Sequence, residues 1–171
     1  SAGYHMTTTV AVNGAEAQEA ASANAELAST RQQPVVDFTN AYTPNIYKLQ
    51  LAKQISGSVF DASNIPDRIK NGTTYKVQYY NTGTKKWDTV ADMIPLADLL
   101  DAQSKGGVYE MQVTAPGQYR VTESKYTEDG LTITTYVAAD EGNFTKASSK
   151  DTTFANYTDD THKVTFDNKY E

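Results

Sequence analysis

The 171-residue sequence contains no cysteine, only two histidines and a single tryptophan. The lack of cysteine excludes disulfide bonds, thiolate metal sites and a cysteine nucleophile. Two histidines cannot build a three-histidine zinc site, and the polar run 159–162, which includes His162, offers too few ligands for a closed site. We therefore predict that the chain binds no metal and no cofactor.

Positive charge is also scarce, with 15 Lys and Arg against 21 Asp and Glu and a net charge of -6. This balance argues against the broad basic surface that phosphate binding needs, so we expect no nucleic-acid partner. No apolar run approaches the roughly 18 to 20 residues of a membrane-spanning helix. We accordingly expect no membrane segment in this fragment.

The composition that remains favours β structure. Threonine occurs 23 times and tyrosine 12 times, and both side chains suit a pleated, half-buried surface. Few stretches carry the apolar repeat of a helix. We predict an all-β fold with one or two short helices, in which alternation of apolar and polar residues marks strands over 7–13, 34–43, 46–56, 75–79, around Trp87, 108–114, 118–123, 131–138 and 163–170.

The other segments follow different patterns. Residues 15–28 are rich in Ala and Glu but have hardly any apolar face, which predicts a surface helix or an ordered loop. Residues 95–103 predict a short helix, because Pro95 stands near its start and three leucines share one side. We expect a loop over 64–72, and a loop or irregular edge over the polar segment 139–162.

A repeat indicates how the chain is organised. The pattern V-x-F-x-N-x-Y occurs at 36–42 and again at 164–170, an offset of 128 residues (168 minus 40), which is about one domain length. We interpret 45–171 as a complete module, 7–44 as the C-terminal remnant of a preceding similar domain, and 1–6 as a cloning scar. A remnant this short cannot bury its own core, so we expect the module or another chain to cover its apolar residues Val10, Val12, Val36 and Phe38.

Three polar residues fall on strand faces that should point inward, since side chains two apart share a face. Lys53 continues the face of Leu49 and Leu51, Glu123 that of Tyr119 and Val121, and Asn168 that of Val164 and Phe166. The alternatives are an edge lysine that reaches water, a carboxylate at a strand end and a turn-capping amide. Buried charges persist only when they are paired or neutralised, so the three groups could satisfy one another.

These groups could also react. Burial lowers the pKa of a lysine and raises that of a carboxylic acid, because both lose charge in an apolar interior. A neutral Lys53 amine could attack the Asn168 side-chain carbonyl while Glu123 polarises it and moves protons, with ammonia leaving. The product would be an internal isopeptide bond. Asn40 occupies the matching place in the 7–44 segment, but without a lysine and glutamate of its own we expect it to stay unreacted.

At these residues the sequence resembles a known family. Residues 115–123 resemble the E-box of Cna-B-type domains of Gram-positive pilins and adhesins, with Pro116, Gly117, Tyr119 and Val121 leading to the acid Glu123, although Ala115 replaces the usual leucine. Residues 49–57 resemble the first strand of such domains, whose lysine forms the bond. Residues 164–170 resemble their last strand, which carries the reactive asparagine. The likeness spans roughly 46–171 and is closest to modules of streptococcal backbone pilins of the T-antigen type.

The resemblance implies an immunoglobulin-like β-sandwich on a bacterial cell surface, cross-linked between its first and last strands. It implies a structural module of a sortase-assembled pilus or wall-anchored adhesin, whose partners are neighbouring pilin or adhesin domains. Such a module is not an enzyme, because it turns over once and on itself. The alternatives are an adhesin module that binds host matrix or glycan through its loops and, more weakly, an accessory domain of a surface hydrolase.

Overall fold

The computed structural model describes residues 4–25, 33–155 and 160–171. The chain divides into two compact units, one ending at Asn45 and the other comprising Ile46–Glu171. Neither helix in the described part of the chain is long and apolar enough to cross a membrane. The origin of the first unit as a domain remnant stays a prediction.

The first unit is a small antiparallel sheet of order β2-β1-β3, built from β1 (Tyr4–Val12), β2 (Gln18–Glu19) and β3 (Val36–Pro44). Strand β1 begins at Tyr4, so residues 4–6, which we set aside as a scar, take part in the ladder with β3. Of the two alternatives for 15–28, a helix or an ordered loop, the helix is wrong over residues 15–25, where irregular structure surrounds the two-residue strand β2. Helix propensity without an apolar face is insufficient, whereas pairing with β1 satisfies backbone groups. Residues 26–28 lie outside the described residues.

The second unit contains nine strands and two helices among its described residues. Helix α2 and most strands follow the predicted order, and the elements are β4 (Tyr47–Gly57), α1 (Asp67–Gly72), β5 (Thr74–Asn81), β6 (Lys86–Pro95), α2 (Leu96–Ser104), β7 (Tyr109–Val113), β8 (Gly117–Ser124), β9 (Ile133–Ala139), β10 (Thr145–Lys146), β11 (Ser149–Phe154) and β12 (Asp160–Tyr170).

These strands form two sheets, one of order β10-β9-β12-β4-β7 and one of order β11-β8-β5-β6. Strands β4 and β12, the first and last of the unit, are parallel neighbours, whereas the other pairs are antiparallel. The core between the sheets is rich in aromatic residues, and its largest fully buried members are Tyr47, Tyr75, Tyr119, Tyr170, Phe154 and Phe166. The all-β sandwich with two short helices that we predicted is confirmed.

Two local expectations needed correction. Part of the predicted 64–72 loop is α1, which begins after Pro66, has Asp67 in its first turn and buries Ile69. A proline just before the first turn and an acidic residue within it favour the start of a helix. Burial of one apolar residue in the core then stabilises even a short helix. The polar segment 139–162 contains the edge strands β10 and β11, and β11 pairs with β8 along six residues.

Candidate functional site

The three inward-facing polar residues are buried side by side in the second unit. Lys53 on β4 is 3% exposed, Glu123 on β8 is 4% exposed and Asn168 on β12 is fully buried. Because β4 and β12 belong to one sheet and β8 to the other, the carboxylate meets the amine across the sandwich. By contrast, Lys48 is partly exposed and pairs with Glu110.

The lysine and the glutamate are in direct contact. Lys53 Nζ donates a hydrogen bond to Glu123 Oε2 at 2.8 Å, and neither side chain has any exposed surface. Burial lowers the pKa of Lys53 to about 8, and the charge and hydrogen bond of Glu123 only partly oppose this shift. A substantial share of the amine can therefore be neutral at mildly alkaline pH.

The asparagine lies next to the lysine because of the register of the parallel strands. Lys53 is aligned with Phe166, and Asn168, two residues further along β12, lies on the same face and is aligned with Ile55. Asn168 Nδ2 donates to Tyr170 Oη at 3.5 Å, but Asn168 Oδ1 is buried and has no hydrogen-bond partner among the described residues. Such an orphaned carbonyl is costly in a buried position.

Two further residues, which the sequence analysis missed, hold the carboxylate. Tyr75 Oη donates to Glu123 Oε2 at 2.8 Å, and Thr135 Oγ1 donates to Glu123 Oε1 at 3.2 Å. Burial, and next the negative charge of Glu123, raise the pKa of Tyr75, so its hydroxyl stays a donor. The signal for Tyr75 and Thr135 was their inward position on alternating strands, but their partners depend on register: Tyr75 is aligned with Glu123, and Thr135 with Asn168.

A glutamine from α2 fixes the backbone of the lysine. Strand β7 pairs with β4 only as far as Leu51, so the following residues lack a strand neighbour on that side. There Gln103 Oε1 accepts from Lys53 N at 3.2 Å, and Gln103 Nε2 donates to Lys53 O at 2.9 Å. One side-chain amide thus takes the place of a strand and holds Lys53 in the extended conformation that aims it inward.

The residues that resemble the E-box position β8. Gly117 adopts a φ of +129°, and a Cβ there would lie 2.9 Å from the ring of Tyr79. Pro116 O accepts from Tyr79 Oη at 3.4 Å, and Tyr119 Oη donates to Ala115 O at 2.8 Å, which ties the turn to the strand. Tyr119 and Val121 are buried on the face that continues to Glu123.

The other candidates from the sequence lie apart from this site. Asn40 is exposed on β3 and accepts a hydrogen bond from Thr8 through its Oδ1. His162 Nδ1 and Nε2 lie 2.8 Å from Asp140 Oδ2 and 3.2 Å from Asp160 Oδ2, respectively. Within residues 4–25, 33–155 and 160–171, no group of three or more His, Asp or Glu side chains could hold a metal ion. Asp159 lies outside the described residues.

The sequence matches no known family profile and no curated protein. Among solved structures the chain is similar to the major pilin from Streptococcus pyogenes, with 18% identity and a TM-score of 0.34, over 99% of this chain and 65% of that one. It is also similar to the major pilin protein (T3.2) from Streptococcus pyogenes serotype GAS13637, with 14% identity and a TM-score of 0.39, over 99% of this chain and 62% of that one. The chain thus spans less than two thirds of the length of either pilin.

Proposed function

We propose that residues 46–171 form a structural module of a bacterial surface pilus or adhesin, of the Cna-B type, that cross-links itself through Lys53 and Asn168. The observation that carries this proposal is the contact of a buried amine with a buried carboxylate, 2.8 Å apart, beside an amide whose oxygen has no partner among the described residues. The E-box resemblance at 115–123 points to the same chemistry.

The reaction proceeds in three steps. Lys53 Nζ first passes a proton to Glu123 along their hydrogen bond, which leaves a neutral amine and a carboxylic acid. The amine then attacks Asn168 Cγ, and the acid donates a hydrogen bond to the developing oxyanion. Glu123 finally delivers its proton to Asn168 Nδ2, so that the Cγ–Nδ2 bond breaks, and it takes up the excess proton of the Lys53 nitrogen, which becomes a neutral amide. The net change is one new amide bond and one released ammonia.

Such a bond would stabilise the module in two ways. Lys53 and Asn168 are 115 residues apart in sequence (168 minus 53), and closing a loop of this size stabilises a fold by about 4–5 kcal/mol in the chain-entropy account of cross-links. In addition, the two residues lie on parallel neighbouring strands, Lys53 near the middle of β4 and Asn168 near the end of β12. Tension applied at residues 46 and 171 would pass through the bond and spare the strands between them, which suits an extracellular fibre without cysteine.

Intact mass spectrometry of the purified chain tests this proposal. We expect the wild-type mass to be one ammonia lower than the sequence mass, and Glu123→Ala and Asn168→Ala to have their full masses. Glu110→Ala, which alters an exposed carboxylate paired with Lys48, is the matched control and should still lose ammonia. A wild-type mass equal to the sequence mass would refute the cross-link.

The position of the module within a pilus or adhesin, on a cell wall and in contact with neighbouring subunits, is part of this proposal and follows from the sequence resemblance. The alternative, a module that binds host matrix or glycan through its loops, stays a prediction. Saturable binding of the isolated chain to such a ligand would favour that alternative, whether or not the cross-link forms.

A further inference from the structure

The sheet of the first unit repeats part of the second unit in register. Thr8 is aligned with Asn40 on neighbouring strands, as Thr135 is with Asn168. The pairs on either side correspond in the same way: Met6 and Tyr42 match Ile133 and Tyr170, Val10 and Phe38 match Val137 and Phe166, and Val12 and Val36 match Ala139 and Val164. Strands β1 and β3 are therefore counterparts of β9 and β12.

The correspondence extends to the turn and to the third strand. Asn13 and Asp140 both have positive φ, 53° and 51°, at the position that follows β1 or β9. Two residues later the backbone turns back, through Ala15 N to Val12 O at 3.0 Å and Gly142 N to Ala139 O at 2.9 Å. Strand β2 then pairs with β1 where β10 pairs with β9. The order β2-β1-β3 thus reproduces β10-β9-β12.

The two sheets differ at one edge. Strand β12 continues the sheet through β4, which pairs with it in parallel from Asp160 to Tyr170. Strand β3 is the edge of its sheet, with β1 as its neighbour among the described residues. Its aromatic residues Phe38 and Tyr42 are 55% and 61% exposed, whereas their counterparts Phe166 and Tyr170 are fully buried. An edge strand with exposed aromatic residues is a template for strand addition.

We propose that the outer edge of β3 is a docking edge for a parallel strand of the β4 type, supplied by a segment outside residues 1–171. The second unit shows which strand pairs with this edge, since β4 pairs with β12, the counterpart of β3. The partner is an extended segment with apolar residues at alternate positions and a lysine at the position opposite Phe38, as Lys53 is opposite Phe166. Main-chain hydrogen bonds would give affinity, and the alternating apolar residues would set the register.

The proposal concerns docking and not a reaction at Asn40. Among its described residues the first unit has counterparts for β9, β10 and β12, but not for β8, which carries Glu123. Moreover, Thr8 Oγ1 donates to Asn40 Oδ1 at 2.8 Å, whereas the matching Thr135 donates to Glu123. A docked lysine would lie near Asn40 without an acid to move its protons.

Disulfide trapping tests the docking edge. Because the chain contains no cysteine, an introduced cysteine is the only residue of the chain that can form the disulfide. The full chain with Thr39→Cys, an exposed residue of β3, is mixed with a synthetic peptide of the Tyr47–Gly57 sequence. One peptide carries cysteine in place of Gln54, whose partner Asp167 is the counterpart of Thr39. A second peptide carries cysteine in place of Lys48, on the same face but six residues away.

We expect about tenfold more mixed disulfide with the first peptide than with the second at equal concentrations. Thr9→Cys is the control variant, because Thr9 lies on β1 between Glu19 of β2 and Thr39 of β3, and neither peptide should be trapped there. Equal yields from the two peptides, or none from either, would overturn the docking edge. Trapping does not involve Lys53 or Asn168 of the chain. The ammonia loss of the second unit can therefore be measured on the same samples, and its result tests the cross-link independently of the docking edge.

Discussion

Thr135 is aligned with Asn168 on the neighbouring strand, and its hydroxyl donates to Glu123 on the opposite sheet at 3.2 Å. One threonine therefore connects the strand that carries the proposed electrophile, Asn168, with the proposed acid, Glu123. Tyr75 holds the other carboxylate oxygen, which Lys53 shares. With three donors around it, the carboxylate has a defined orientation, and this orientation is what proton transfer between amine and amide requires.

We expect Thr135→Val to slow formation of the cross-link while leaving the fold intact. Valine keeps the shape of threonine but removes the donor, so one oxygen of Glu123 loses its partner. The cost in unfolding free energy should be about 1–3 kcal/mol, typical of a buried acceptor left unpaired. The measurement is the fraction of chains that have lost ammonia, followed by intact mass spectrometry from expression onwards.

Thr134→Val is the matched control, since Thr134 is the preceding residue on the other face of β9. It should react as completely as the wild type. If Thr135→Val also reacts completely at the earliest time, Thr135 does not position the acid and its role is structural.

Replacing Glu123 with glutamine should destabilise the module beyond the loss of the cross-link. The variant leaves the Lys53 ammonium buried without a counter-charge, and breaking a buried ion pair from one side costs about 3–5 kcal/mol. Chemical denaturation of Glu123→Gln and of Asn168→Ala, which also lacks the bond but keeps the ion pair, separates the two contributions. Glu123→Gln should be the less stable of the two, and Lys53→Met/Glu123→Gln should recover part of the difference because it removes the unpaired charge. Equal stability of the two single variants would contradict the buried ion pair.

The depressed pKa of Lys53 predicts how stability depends on pH when the bond cannot form. In Asn168→Ala the amine of Lys53 stays free. Its pKa is about 8 in the folded chain and has the ordinary value of 10.5 in the unfolded chain, so between these pH values the unfolded chain binds more protons. Unfolding free energy should therefore rise with pH above 8, by about 2 kcal/mol up to pH 9.5. Measurements stop there because burial raises the pKa of Tyr119 to about 12 and also raises that of Tyr75, so these groups reverse the slope at higher pH.

Lys53→Met/Asn168→Ala provides the reference for this slope, since it lacks the titrating amine. A parallel rise in both variants would assign the pH dependence to other groups. The same shift predicts that wild-type chains form the bond faster at pH 8 than at pH 6, because only the neutral amine is a nucleophile.

The inward faces of the three candidate residues followed from sequence because strand alternation is local. Lys53, Glu123 and Asn168 each continue a run of apolar residues at every second position, and all three are buried. Their partners did not follow, since contacts across the sandwich depend on the register of strands far apart in sequence. Neither Tyr75 nor Thr135 carries a local signal that would assign it to Glu123, 48 and 12 residues away.

Elements without alternation were harder to predict. Gln103 is a polar residue of α2 that carries no signal in the sequence. It hydrogen-bonds to the backbone of Lys53 because β7 stops pairing with β4 at Leu51. Helix α1 was predicted as a loop because a short helix with one buried residue, Ile69, shows no apolar periodicity in the sequence. In the first unit, the Ala- and Glu-rich composition favoured a helix, but pairing with β1 prevailed at β2.

His162 predicts a second, independent pH dependence. Burial lowers its pKa, but its contacts with Asp140 and Asp160 outweigh this effect and raise the pKa above the ordinary 6.5. Because the folded pKa is the higher one, the imidazolium contributes stability that is complete below about pH 6.5 and lost as pH rises through the folded value. The histidine is only partly buried, so we expect a contribution of about 0.5–1 kcal/mol at pH 5.5 relative to pH 8. Denaturation of the wild type and His162→Gln at both pH values measures it, and an equal pH effect in the variant would show that the ion pairs of His162 contribute nothing.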